Sequence, residues 1–191
     1  MKRSKQMILT SVSGVLLLSA CGTDSEPNEQ PEQGEEKNQG EHMGHSDMDH
    51  SSSGELPEGL QEANTPTYAP GTEAMIAEGH MEGMEGATAT IVGAFDTTAY
   101  IVSYTTEDGQ RVEDHKWVVH EEIEYAGDEP FEAGSEVILN ADHMAGMEGA
   151  TAEIEGVEDT TVYMIDYTST TGEDVENHKW VTEEELTSID E

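Results

Sequence analysis

From about residue 70 onward, short apolar and β-branched runs alternate with clusters of Gly, Glu and Asp. Glu136–Asn140 is one such run and Ala150–Ile154 a second. In Thr161–Thr168, Tyr163, Ile165 and Tyr167 fall at every other position, the period of a strand with one buried face. His178–Thr182, centred on Trp180, is a fourth run, and Glu183–Leu186 reads as one helical turn closing the unit. Upstream the pattern vanishes. From Gly22 to about Thr67 the chain is Glu, Gln, Gly, Ser, Asn and Pro with almost no large apolar residue, which predicts a disordered tether extended by its own charge.

The strand runs belong to a duplication. A shift that lays Gly71–Ile123 on Gly134–Leu186 needs no gap, and roughly half of the positions are identical. His80-Met81-x-Gly83-Met84-Glu85-Gly86-Ala87 recurs as His143-Met144-x-Gly146-Met147-Glu148-Gly149-Ala150. Asp96-Thr97-Thr98-x-Tyr100 recurs from Asp159, and His115-Lys116-Trp117-Val118 recurs from His178. The joint, Glu124–Ala133, is acidic and contains Pro130. Four or five short strands per unit, with Gly-rich turns, predict an all-β fold of two small barrels. The pattern resembles SH3-like barrels, with the Gly-x-Glu-Gly turn placed as in KOW-type members. A unit this small buries only about 60% of its chain surface, so Trp117 and Trp180 are expected as core anchors and the units are expected to lean on each other. The organisation expected is a signal segment (1–20), a tether (21–67), a first repeat (68–125), and a linker with the second repeat (126–191).

The N-terminus changes the setting. Lys2, Arg3 and Lys5 precede the apolar run Met7–Leu18, which is too short to cross a bilayer core of ~30 Å and suits a secretory signal. Leu18-Ser19-Ala20-Cys21 resembles a bacterial lipobox. That implies cleavage before Cys21, acylation there, and a chain held on the outer face of the membrane by lipid alone. Cys21 is the only cysteine, so an internal disulfide, a thiolate metal site and a cysteine nucleophile are excluded together.

Charge narrows the partners. There are 43 acidic and 7 basic residues, and three of the basic ones leave with the signal. Nucleic acid is excluded, since phosphates need a basic patch. Cations and cationic surfaces are the natural partners. Most of this charge reads as a solubility adaptation, so the carboxylates alone do not mark a metal site.

The distinctive chemistry is His with Met. Of the ten methionines, Met43, Met48, Met81, Met84, Met144 and Met147 lie within four residues of a histidine. The tether island carries His42, Met43, His45, Met48 and His50. Each repeat offers His80, Met81 and Met84, or His143, Met144 and Met147, at a Gly-rich turn. Thioethers are soft ligands that select Cu(I), and imidazole suits copper as well. The alternative is that Met84 and Met147 plug barrel ends and that the turn histidines bond to backbone. His115 and His178 either face back to complete a site or cap the barrel; the sequence leaves both open.

Lipobox, His-Met island and tandem unit together resemble the YdhK family of Gram-positive lipoproteins, which includes CopL-type copper-tolerance proteins. The resemblance rests on Gly-Met-x-Gly-Ala-x-Ala-x-Ile, Asp-Thr-Thr-x-Tyr and His-Lys-Trp-Val, and covers the lipobox and Gly71–Leu186. It implies copper sequestration outside the cell, with transfer to a copper transporter left open. Glu183 stands where the first repeat has His120, so a ligand role for His120 is not shared. The competing reading is a surface-displayed interaction module for wall polymer or a partner protein. An enzyme is not expected, because no shared serine motif or distinct carboxylate pair is present.

Overall fold

The computed structural model describes residues 51–106 and 109–189. The expected signal segment, Cys21 and the expected island ligands His42, Met43, His45, Met48 and His50 lie outside the described residues. The strands are β1 (Gln61–Glu62), β2 (Glu73–Ile76), β3 (Thr88–Thr105), β4 (Arg111–Val119), β5 (Glu136–Ile138), β6 (Thr151–Thr168), β7 (Asp174–Thr182) and β8 (Leu186–Thr187). One-turn 3-10 helices, His120–Glu122 and Glu183–Glu185, follow β4 and β7. The second is the helical turn read from the sequence.

The protein is all-β, built from two repeats. The strands form one sheet along the path β5-β6-β3-β2-β8, with β1 and β4 also paired to β3 and β7 to β6. This sheet does not close, and the two closed SH3-like (KOW-like) barrels expected from strand spacing are not seen in it. The reason lies in β3 and β6, each 18 residues long. Asp96–Thr98 and Asp159–Thr161 look like turns, yet the strands run straight through them and pair antiparallel from Ala89↔Tyr167 to Tyr104↔Ala152. Thr97 faces its own repeat equivalent, Thr160, and marks a pseudo-two-fold axis. Register shifts at Val92 and Glu155, equivalent positions in the two copies, bend both strands alike.

The axis makes the repeats exchange halves. One core holds Ile76, Met84 and Ile91 from the first repeat with Tyr163, Ile165, Tyr167 and Leu186 from the second. The other holds Leu139, Met147 and Ile154 from the second repeat with Tyr100, Val102, Tyr104 and Ile123 from the first. The backbone follows the same exchange: Ile76 pairs with Leu186, and Leu139 with Ile123. Trp117 and Trp180 are buried, but in a third, shared cluster with Phe95, Ala99, Val162 and Met164. The units therefore do more than lean on each other; neither repeat contains a complete core.

The expectation of a structureless tether up to residue 67 does not hold from Ser51 on. Ser52 donates its N–H to the Glu176 carbonyl (3.0 Å) and its hydroxyl to the Asn177 carbonyl (2.7 Å). The Lys179 ammonium donates to the Glu55 carbonyl. Further on, β1 pairs with β3, Leu60 packs against the tryptophan cluster, and Ala63 and Tyr68 cover the first core. A few apolar residues suffice because the sheet supplies the partner surface.

Candidate functional site

The His-Met turns divide their side chains between two destinations. After β2, Met84 donates its N–H to the Met81 carbonyl (3.3 Å) and Gly86 donates to the Ile76 carbonyl (2.8 Å), with Gly86 left-handed at φ +81°. The second copy repeats this with Met147, Met144, Gly149 and Leu139. Such a φ is open to glycine and strains other residues. The turn drives Met84 and Met147 into the two cores, where both are fully buried. They are the apolar plugs considered above and do not line the cavity with the other expected ligands. His80, Met81, His143 and Met144 face the other way.

β4 and β7 supply the remaining imidazoles. Asp114 and Asn177 both adopt φ +52°, at register shifts in the pairing of these strands with β3 and β6. The Asp114 N–H is held by the Ser103 hydroxyl (3.1 Å) and the Asn177 N–H by Asp166 Oδ1 (2.7 Å). A bulge re-aims the next side chain, and here the next residues are His115 and His178. All four histidines, with Met81 and Met144, line one cavity of about 450 Å³, whose wall Ser52 also touches.

The pairing within this cavity crosses the repeats. His80 meets His178, with Nε2 atoms 3.4 Å apart and ring centroids at 5.5 Å. His143 stands beside His115, centroids 6.2 Å apart. Each turn histidine is backed by a buried carboxylate from the other repeat. His143 Nε2 lies 2.6 Å from Glu122 Oε1, and His80 Nδ1 lies 3.5 Å from Glu185 Oε1. The carboxylates are anchored in turn: Glu122 Oε2 accepts the Val119 N–H (3.1 Å) and the Trp180 indole N–H (3.0 Å). Glu185 Oε2 accepts the Thr182 N–H (3.0 Å) and the Trp117 indole N–H (2.8 Å). Burial alone would raise the Glu185 carboxyl, but the His80 contact, the Thr182 N–H and the Trp117 indole outweigh it and hold the group below its usual range.

At His143 this is the arrangement in which a carboxylate orients a histidine and leaves the other ring nitrogen for a ligand. The His143 Nδ1 atom is buried without a hydrogen-bond partner. Among the described residues no group of three or more His, Cys, Asp and Glu side chains is set to hold a metal ion. The histidines come in pairs, and the further donors beside them are thioethers. Sequence reasoning missed Glu122 and Glu185. Their one visible signal, identity at equivalent positions, was lost among 43 acidic residues.

The fold and cavity define a class: an all-β tandem-repeat protein whose repeats exchange halves around a His-Met cavity. The family model described as a protein of unknown function, DUF1541, matches residues 70–120 and 133–183, and the chain belongs to this family. A relative, the uncharacterized protein YdhK of Bacillus subtilis strain 168, is 53% identical over 191 residues, covering 98% of this chain and 91% of the relative. A crystal structure of the Bacillus subtilis DUF1541 protein ydhK matches with TM-score 0.72 and 60% identity, covering 75% of this chain and 99% of that one. A second ydhK crystal structure matches with TM-score 0.61 and 61% identity over 62% of this chain and 98% of that one.

Proposed function

We propose that the protein binds and buffers copper, as Cu(I), at the outer face of the cell membrane, where a lipid on Cys21 anchors it, and that it performs no turnover. The observation that carries this reading is the cavity in which His80, His115, His143 and His178 meet Met81 and Met144. Thioether and imidazole together favour Cu(I) over hard cations, and neither needs a free thiol. Buried carboxylates stand behind His80 and His143, where they can orient the rings toward a ligand. The tether island, which ends at His50, offers further His and Met donors. Both tryptophans are buried, so neither presents the exposed indole that an interaction groove would use.

The test is titration of the mature chain with Cu(I) against a competing chelator. Uptake is expected, weakened by Met81→Leu with Met144→Leu and reduced to what the tether island binds when His80 and His143 are also replaced. A folded wild-type chain that takes up no Cu(I) would refute the reading. Zinc or calcium binding that disappears with the two methionines would also contradict it, because neither ion favours thioethers.

A further inference from the structure

We infer that the cavity holds two crossed half-sites, His80 with His178 and His143 with His115, so that an ion bound in either one staples the first repeat to the second. The inference rests on the copper reading and adds which residues act together. Two observations support it independently of any ion. The first is the His80–His178 contact. Two nitrogens bound to one tetrahedral ion at ~2.0–2.1 Å stand about 3.4 Å apart, and the observed Nε2–Nε2 separation is 3.4 Å.

The second observation is the support behind each pair. His80 has Glu185 on its other nitrogen and His143 has Glu122, each carboxylate belonging to the opposite repeat. Met81 packs against the core that holds Tyr167 and Val175 of the second repeat, so the turn of the first copy is seated on the second. The β4 and β7 histidines stay on their own tyrosines: His115 against Tyr104 (6.1 Å) and His178 against Tyr167 (5.9 Å). Each of these tyrosines belongs to the core it shares with the other repeat's turn. The exchange of halves thus brings each strand histidine to the turn of the other copy.

Crossed and uncrossed pairing give opposite stoichiometries in two double variants of the full mature chain. With crossed half-sites, His80→Ala/His178→Ala removes one pair and lowers Cu(I) stoichiometry by one ion. His80→Ala/His115→Ala, with both changes in the first repeat, breaks both pairs and lowers it by two. Pairing within each repeat would reverse these results and overturn the inference. Equal losses in the two variants would mean one shared site and would overturn it too, as would no loss in either. Should an alanine variant unfold, the same doubles made with glutamine give the same comparison in a polar side chain of similar reach. Wild-type uptake is read first: a chain that takes up no Cu(I) removes the copper reading and this inference with it. Normal wild-type uptake with the reversed pattern removes this inference alone.

Discussion

Glu122 is the side chain through which the exchange of halves can be measured. It is almost fully buried, and its carboxylate receives Val119 N–H, the Trp180 indole and His143. Glu122→Ala leaves these buried donors without their acceptor. A buried donor left unsatisfied costs about 1–3 kcal/mol, and here the Val119 N–H and the Trp180 indole N–H lose their acceptor together with His143. The expected loss is therefore about 3–5 kcal/mol, a large share of the ~5–15 kcal/mol that holds a typical domain. Glu122→Gln keeps one oxygen for Val119 and Trp180 and offers an amide to His143, so it should cost only about 1–2 kcal/mol. Urea unfolding followed by tryptophan fluorescence and by far-UV circular dichroism measures both. With a slope of about 2 kcal/mol/M, the alanine variant should lose about 2 M in midpoint. The two probes should coincide, because Trp180 sits in the cluster shared by both repeats. Alanine and glutamine variants that match each other and the wild type within about 0.5 kcal/mol would refute this reasoning, since surface changes stay in that range.

Residues 68–125, expressed alone, should remain unfolded by near-UV circular dichroism and NMR dispersion, because each core needs the other repeat; a folded monomer of that fragment would contradict the exchange. Met84→Leu and Met147→Leu are near volume-conserving and should each cost less than about 1.5 kcal/mol while leaving Cu(I) uptake unchanged in a chelator competition. The corresponding alanine variants should each lose about 2–5 kcal/mol in urea unfolding. Cys21→Ser should release the protein to the medium or leave an unprocessed precursor, and unchanged membrane retention of a correctly cleaved variant would defeat the anchor.

Much of the fold was legible because strand signals are local. The runs around Ile138, Ala152, Tyr163 and Trp180 are strands in the structure, and the turn at Glu183 is present. What could not be read was the continuity of β3 and β6. Acidic and threonine-rich stretches at Asp96 and Asp159 have the composition of turns, but here they pair with each other across the pseudo-two-fold axis. Asp96 and Asp159 stay exposed there, and the backbone hydrogen bonds are satisfied between the two copies. Composition also misjudged Ser51–Thr67, since a segment too polar to form its own core can still complete an existing sheet.

The same symmetry hid the partners at the site. In a duplicated sequence, His80 and His115 belong to the same copy, and each site is naturally assembled within its own copy. Antiparallel pairing of β3 with β6 about Thr97 and Thr160 reverses that expectation: the start of one long strand lies beside the end of the other. The turn before β3 therefore faces the strand that follows β6, which is β7 with His178, and the turn before β6 faces β4 with His115. Once Thr97 lies opposite Thr160, the crossing of the histidines, of the carboxylates behind them and of the two cores all follow from that single register.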